Sequence, residues 1–416
     1  MSLRSFRKAG HSPTLLSAFL YFDVSFMVWV ILGPLGPFIG DALKLSPSQN
    51  GFLMAVPLLG GSFFRLVVGA ATGRFGGRRT ALAGMALTLV PLLIGWKLAS
   101  SFTHFLGMGV LLGISGASFA AALPLASAWY PAEYQGLAMG IAGAGNSGTL
   151  MASLFAPRLA QMFGWRNVFA FAGIPLIIVW IIFFFLAKEA PMKRSIKTWK
   201  DYASVLKVPD SAWFCFLYSL TFGGFSGFAT YLSIFFRDQY HVSPVKAGDL
   251  TTFVVLFGSM LRPVGGVLAD KLGGYRMLLI LFSIATLSLG LLATLPLTAV
   301  AVSLFALLMA MLGMGNGSVF QLVPQRFPDH VGILTGLVGA AGGFGGFMLP
   351  SLMGVLKGST GTFATGFAVI AVLFTCGLSA LLWLGNSWRQ TWPLAAAERA
   401  GLLAADTAPA SAYAAD

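Results

Sequence analysis

The sequence predicts an all-α membrane protein in which twelve transmembrane helices form two six-helix halves. Composition, the spacing of apolar runs and an internal repeat each point to this fold class. Of the 416 residues, 57% are hydrophobic and only 9% are charged, whereas soluble domains carry about 25% charged residues. A bilayer crossing needs about 20 apolar residues, so the composition excludes a water-soluble globule and the length accommodates about a dozen helices.

Apolar runs separated by polar residues define the helices one by one. They fall at 13–40, 48–72, 80–99, 103–130, 135–160, 166–188, 211–236, 246–269, 276–296, 298–325, 331–356 and 362–386. The longest polar stretch divides these runs into six and six. The predicted units are an N-terminal bundle, a cytoplasmic linker, a C-terminal bundle and a partly disordered cytoplasmic tail, at 1–187, 188–210, 211–387 and 388–416.

The basic residues predict the orientation of the chain. The net charge of +13 is spread over the loops between apolar runs, which favours membrane orientation over nucleic-acid binding. With both termini in the cytoplasm, the inside segments hold 17 Lys and Arg and the outside segments hold 7. Because cytoplasmic loops carry the excess of positive charge, we expect this orientation, a monomer in the lipid bilayer, and no nucleic-acid partner.

The chain repeats itself at an offset of 197 residues. Residues 61–79 read GSFFRLVVGAATGRFGGRR and residues 258–276 read GSMLRPVGGVLADKLGGYR, with Gly, Ser, Arg, Gly-Gly and Arg in register. The offset spans six helices, an even number, so both halves share one orientation and are related by an axis along the membrane normal. This parallel repeat resembles the major facilitator superfamily, whose substrate sites lie near the bilayer midplane between the halves.

The loop within each repeat resembles the signature of that superfamily, in which it packs on helix ends and helps to gate transport. The resemblance implies gating roles for Gly69, Arg74, Arg78, Arg79, Asp270, Lys271 and Arg276. The first copy has Gly73 where an acidic residue is usual, so we expect the acidic part of the gate in the C-terminal half only. Simple cytoplasmic anchoring by the arginines is the alternative.

Two glycine-rich segments narrow the resemblance. Residues 140–148 (GIAGAGNSG) and 336–350 (GLVGAAGGFGGFMLP) are similar to the paired signatures of the nitrate/nitrite porter family, and residues 22–37 are similar to its first helix. The resemblance covers essentially all twelve runs. It implies a non-enzymatic secondary transporter of a bacterial inner membrane that imports nitrate or exchanges it for nitrite by alternating access. It also implies that four aromatic residues line the cavity: Phe26, Phe119, Tyr218 and Phe222.

Two arginines inside apolar runs indicate an anion site independently of that resemblance. Arg65 lies about eight residues, roughly 12 Å, before the cytoplasmic end of its run, close to the middle of a ~30 Å hydrocarbon core. Arg262 has the equivalent depth. Each buried charge costs at least about 2.5–3.5 kcal/mol, and of 13 acidic residues only Asp23 lies inside a run. We expect the missing negative charge to arrive as substrate; retention by backbone carbonyls and water is the alternative.

The residue types around these arginines favour a small planar anion. The flat guanidinium fork matches the oxygens of nitrate or nitrite, and Asn146 can donate a hydrogen bond to an oxyanion. Close backbone approach would make the site narrow at Gly143, Gly145, Gly342 and Gly343. A transporter of a phosphate ester or small organic acid is the rival, and it would need a wider cavity with extra Lys or His near the midplane.

Protonatable groups are scarce in the apolar runs. All four histidines lie in loops or at run ends, so Asp23 is the acidic candidate for proton coupling; pairing with a neighbouring polar group is its alternative. Exchange of nitrate for nitrite needs no proton carrier, and the sequence leaves symport and antiport open. No metal-ligand spacing, catalytic triad or phosphate-cradling loop is visible, so we expect no cofactor and no metal.

Overall fold

The computed structural model describes residues 3–189 and 204–403, and the regular structure within them is helical throughout. Twelve long helices follow one another: α1 Ser12–Leu43, α2 Pro47–Phe75, α3 Gly77–Leu98, α4 Phe102–Ser127, α5 132–163, α6 Trp165–Leu186, α7 Pro209–Tyr240, α8 Pro244–Leu272, α9 Gly274–Leu292, α10 Thr298–Arg326, α11 Val331–Thr360 and α12 Ala364–Thr391. Short helices at Leu3–Ala9 and Leu394–Arg399 flank them. The predicted all-α membrane fold is confirmed.

Several helices change pitch near their middle. Helix α1 is interrupted between Trp29 and Leu32, and α8 breaks at Leu261, one residue before Arg262. Helix α5 contains a 3₁₀ turn at Ala144–Ser147. Among the described residues, eleven helices are long and apolar enough to cross a membrane. Helix α5 is the exception because asparagine, serine and glycine interrupt its apolar sequence at this turn.

The N-terminal and C-terminal halves meet along three helix pairs, namely α2 with α11, α1 with α7, and α5 with α8. Glycine permits the close approach. A methyl group added at Gly51 of α2 would lie 2.8 Å from the Cα of Gly354 in α11, and one at Gly33 of α1 would lie 2.6 Å from the Cα of Thr230 in α7. Any side chain at these positions would force the two halves apart.

The halves touch at one end of the bundle and separate at the other. We call the end that carries residues 3, 189, 204 and 403 the terminus side, and the other end the far side. Helices α2 and α11 stay in contact from the far side to Arg65 and Gly339. Beyond that level, no atom of another described helix lies within 4 Å of a Cβ added to Gly69, Gly332 or Gly336. The space between α2 and α11 therefore opens toward the terminus side.

Two ion pairs join the halves on the far side. Arg158 of α5 lies 2.7 Å from Asp249 of α8, and Arg237 of α7 lies 2.5 Å from Asp41 of α1. Each pair links an N-terminal helix to a C-terminal helix. Because all four side chains are at least a quarter exposed, solvent weakens each pair to about 1 kcal/mol or less.

An acidic residue outside the repeat caps the first loop for which the sequence predicted a gating role, residues 69–79. The backbone N–H groups of Gly77 and Arg78 donate to the two carboxylate oxygens of Glu189, over 2.9 and 3.0 Å. This carboxylate lies at the N-terminus of α3, where negative charge is stabilised. Glu189 is thus an acidic partner of the first loop that lies outside the repeat, and the expectation that the acidic part of the gate acts in the C-terminal half only stays a prediction. Asp270 is exposed and forms no ion pair within the described residues.

Of the other residues with a predicted gating role, two contact neighbouring groups and two are exposed. Arg78 donates to the carbonyl oxygens of Phe184 and Ala187, over 2.7 Å each, and so ties α3 to the end of α6. The guanidinium of Arg74 lies 5.4 Å from the ring of Phe75. Arg79 and Lys271 are exposed, so their gating role stays a prediction, as does the alternative of anchoring by the arginines.

The segment after α12 folds back onto the second predicted gating loop, residues 270–276. Helix α12 runs to Thr391, four residues beyond the predicted bundle boundary. The N–H of Tyr275 then donates to the carbonyl of Ala400 over 2.9 Å, and Arg276 donates to that of Leu403 over 2.8 Å. Residues 388–403 of the predicted tail are thus packed on the C-terminal half, and the partial disorder expected for the tail stays a prediction; 404–416 lies outside the described residues, as does 190–203 of the predicted linker.

Glu189→Ala should lower the free energy of unfolding by about 1 kcal/mol, because two N–H groups at the start of α3 lose their acceptor. Thermal unfolding of the purified protein in detergent measures this change. Glu189→Gln should recover part of it, since an amide oxygen still accepts one bond. The exposed Glu398→Ala is the matched control, and equal melting temperatures for Glu189→Ala and this control would rule out the capping role.

Candidate substrate site

Arg65 lies deep inside the protein between ring faces and backbone carbonyls. It stands ten residues before the end of α2, roughly 15 Å at 1.5 Å per residue, and it is 3% exposed. Its Nε donates to the carbonyl of Gly116 over 3.2 Å, and its Nη1 donates to that of Gly339. Its guanidinium carbon lies 4.9 Å from the ring of Phe222 and 5.2 Å from that of Trp29.

Arg262 faces the same centre from the other half. It opens the second segment of α8, ten residues before Leu272, and it is partly exposed. The guanidinium carbons of Arg65 and Arg262 each lie 5.8 Å from the centroid of the Phe119 ring. The Nη1 atom of Arg262 is buried without a hydrogen-bond partner. The two positive charges therefore share one aromatic ring and repel each other.

Within the described residues, no carboxylate balances this pair of arginines. The ion pairs found there involve Arg158, Arg237 and Arg326. The same residues contain no group of three or more His, Cys, Asp and Glu side chains that could hold a metal ion. Retention by backbone carbonyls was the alternative to an anion site, and backbone carbonyls do accept hydrogen bonds from Arg65. They leave Arg262, however, with an unpaired donor.

The four predicted aromatic residues come together around the arginines. Tyr218 and Phe222 stand one turn apart on α7, with ring centroids 5.3 Å apart and planes within 3°. Phe26 of α1 meets Phe222 edge to face at 6.4 Å, and Phe119 of α4 lies beneath both guanidinium groups. Rings from both halves thus surround the two charges.

Sequence reasoning missed three residues of this centre. Trp29 stacks on Phe222 at 6.3 Å, and its Nε1 donates to the carbonyl of Pro57 over 2.6 Å. Phe320 of α10 lies 4.9 Å from Tyr218 and 6.2 Å from Phe119. The third, Asn316, is fully buried on the same helix. The helical spacing of Phe22, Phe26 and Trp29 was an available signal for the tryptophan, since these positions share one face.

Asn146 and Asp23 belong to the contact between α1 and α5. Asn146 is fully buried in the 3₁₀ turn, and its amide nitrogen can donate to the carbonyls of Gly143 and Ala144 over 3.3 Å each. Asp23 accepts a hydrogen bond from the hydroxyl of Ser147 over 2.6 Å. Asp23 therefore pairs with a neighbouring polar group, the alternative considered for it, and it forms no ion pair with either central arginine.

The four predicted glycines differ in their surroundings. A Cβ at Gly145 would lie 2.8 Å from the backbone nitrogen of Asp23, and one at Gly342 would lie 2.6 Å from the ring of Tyr218. At Gly343 the nearest atoms belong to Ser62 of α2, at 3.1 Å. These three glycines narrow the centre by close helix approach. Gly143 has no atom within 4 Å of an added Cβ, so it faces open space.

Residues 17–350 match the Major Facilitator Superfamily. The chain belongs to this superfamily. Within it, the chain belongs to the nitrate/nitrite porter family, and the porter is 34% identical to the "Nitrite extrusion protein" of Bacillus subtilis over 86% of this chain and 91% of that protein. Membership of these families makes it a transporter and not an enzyme, as the sequence predicted.

Other relatives and solved structures agree with this assignment. The porter is 32% identical to the "Probable nitrate/nitrite transporter NarK2" of Mycobacterium tuberculosis over 83% of this chain and 89% of that one. It is 29% identical to the "Probable nitrate/nitrite antiporter NarK1" of Thermus thermophilus over 85% and 88%. The crystal structure of a D-xylose-proton symporter shares the fold, with a TM-score of 0.72 at 18% identity over 89% of this chain and 96% of that chain.

Breaking the far-side pair between Arg158 and Asp249 should let the far side open more often. Since such a pair contributes about 1 kcal/mol or less, we expect Asp249→Ala to raise the labelling rate of Ser153→Cys by up to about fivefold with a membrane-impermeant thiol reagent. Ser153 is buried at the contact of α5 with α8. The charge-swapped pair Arg158→Asp with Asp249→Arg should restore slow labelling; fast labelling in the swap would contradict the ion-pair role.

Proposed function

We propose that the porter imports nitrate across a bacterial inner membrane and exchanges it for nitrite, with the anion bound between Arg65 and Arg262. The observation that carries this proposal is a pair of guanidinium groups over one phenylalanine ring, with no carboxylate paired to them among the described residues. The printed names of the relatives, which are nitrate and nitrite transporters, support the choice of anion.

The geometry favours a small flat anion over a large one. Two arginines that repel each other across a poorly solvated centre gain most from one shared counter-ion. The stacked rings of Tyr218 and Phe222, against which Gly342 packs, place flat aromatic surfaces beside the two arginines. A planar anion can lie against such surfaces, and within the described residues no lysine or histidine lies at the depth of the two arginines to help bind a phosphate ester or organic acid.

Alternating access would follow from rocking of the two halves, residues 1–187 against 211–387, about the central site. We infer that the terminus side faces the cytoplasm, because 17 basic residues lie in segments assigned to it. The structure then corresponds to a state closed on the far side and open to the cytoplasm. A bound anion would reduce repulsion between Arg65 and Arg262 and so allow the halves to close around it. We propose that the porter acts as a monomer, since one chain supplies both arginines.

Arg65→Lys and Arg262→Lys should each reduce nitrate uptake by at least about 100-fold, because an ammonium can neither keep both carbonyl bonds that position the charge of Arg65 nor reproduce the planar donor fork of Arg262. Uptake of labelled nitrate by proteoliposomes with nitrate or nitrite inside measures the change. Arg166→Lys, at the far-side start of α6, is the control and should transport normally. Retained uptake in both central variants would eliminate the clamp, and counterflow with organic anions but not nitrate would favour the rival substrate class.

Asp23→Asn should leave nitrate/nitrite counterflow within about twofold of the original chain. An asparagine oxygen can still accept the bond from Ser147, and exchange of one monovalent anion for another requires no proton carrier. Counterflow without a pH gradient is the measurement, with uptake driven by a pH gradient alone as the comparison. If the original chain takes up nitrate under the pH gradient alone and Asp23→Asn does not, the exchange mechanism is wrong and Asp23 carries the proton.

A further inference from the structure

We propose that Asn316 is a specificity-determining residue that donates a hydrogen bond to the third oxygen of nitrate; this inference rests on the proposed function. Asn316 lies on α10, ten residues before Arg326, as Arg65 and Arg262 lie ten residues before the ends of their own helices. Its side chain is fully buried, and neither its amide oxygen nor its amide nitrogen has a hydrogen-bond partner.

Contacts of its neighbours place Asn316 beside Arg262. A Cβ at the next residue, Gly317, would lie 3.1 Å from the carbonyl oxygen of Arg262. One turn further along α10, Phe320 meets the ring of Tyr218 at 4.9 Å and that of Phe119 at 6.2 Å. Because residues four apart share a helix face, Asn316 faces the same arginine-containing centre as Phe320. The amide therefore faces the space between α7 and α8.

Unpartnered polar atoms gather in this part of the C-terminal half. Besides Asn316, they include the Nη1 of Arg262 and the hydroxyl oxygens of Thr221 and Ser259, all buried and without hydrogen-bond partners. Thr221 packs on Gly315, next to Asn316, and Ser259 stands one turn before Arg262. An unsatisfied buried polar group is costly. A cluster of unpartnered polar atoms at the depth of the two arginines indicates that the bound substrate supplies their hydrogen-bond partners.

The donors of the two halves are not equivalent. Arg65 already uses its Nε and Nη1 on backbone carbonyls, whereas Arg262 keeps a free buried donor. The anion should therefore be held chiefly by the C-terminal half, by Arg262 together with Asn316. Nitrate offers three oxygens and nitrite offers two, so an extra amide donor favours nitrate.

Asn316→Leu removes both amide atoms at nearly constant volume. We expect the dissociation constant for nitrate to rise at least about tenfold, with a smaller rise for nitrite, so that the nitrate preference falls. Competition of unlabelled nitrate and nitrite with labelled nitrate in counterflow measures both constants on the full-length protein. Asn316→Ser should keep part of the preference, because a hydroxyl can still donate a hydrogen bond. Ser318→Ala is the control, since its hydroxyl donates to Met314 on its own helix.

Melting temperature in the absence of anion separates this role from a structural one. Removing unsatisfied buried atoms should leave Asn316→Leu as stable as the original chain or more stable, whereas a structural asparagine would lose stability on the same change. An unchanged nitrate-to-nitrite ratio in Asn316→Leu, or a melting temperature lowered along with a uniform loss of affinity, would overturn the inference. If Arg65→Lys and Arg262→Lys still transport nitrate, the proposed function itself is wrong. If these two variants lose transport but Asn316→Leu keeps the nitrate-to-nitrite ratio of the original chain, only this inference is wrong.

Discussion

Two positive charges held near the middle of a membrane protein, with no carboxylate beside them in the part of the chain that the structure describes, constrain everything around them. Arg65 is compensated in part by the carbonyls of Gly116 and Gly339 and by the faces of Trp29 and Phe222. Ring faces attract cations by about 0.5–2 kcal/mol each, which does not neutralise a second charge. Arg262 is left with a buried donor unpaired. The arrangement is costly in free energy unless an anion binds there. Transient binding of its substrate is what a transporter requires.

The requirement for transient anion binding also explains why the centre is built from both halves. Phe119 belongs to the N-terminal half and Arg262 to the C-terminal half, yet the guanidinium lies over that ring. The carbonyl of Gly339 in α11 holds Arg65 of α2. Movement of one half against the other therefore changes the surroundings of both arginines. In the proposed mechanism, these shared contacts would couple binding of an anion to the opening of one end of the bundle.

The ends of the bundle are held by different chemistry. On the far side, exposed ion pairs and glycine contacts join the halves, and these can break at low cost in water. On the terminus side, each predicted gating loop is bound within its own half by the segment that follows its sixth helix, through Glu189 in one half and Ala400 in the other. The sequence indicated the loops, but it gave no sign of these partners, because each lies more than 100 residues away along the chain.

Hydropathy, the positive-inside rule and the 197-residue repeat were enough to predict twelve helices, two parallel halves and two arginines at equal depth, since the bilayer fixes helix length and penalises buried charge. Membership of the porter family followed from the glycine-rich segments. Tertiary packing alone decided that Trp29, Phe320 and Asn316 join the centre, that Asp23 pairs with Ser147, and that Glu189 caps α3. In a chain with 37 phenylalanines and 51 glycines, helical spacing marks which residues face inward, but the neighbours they meet depend on how distant helices cross.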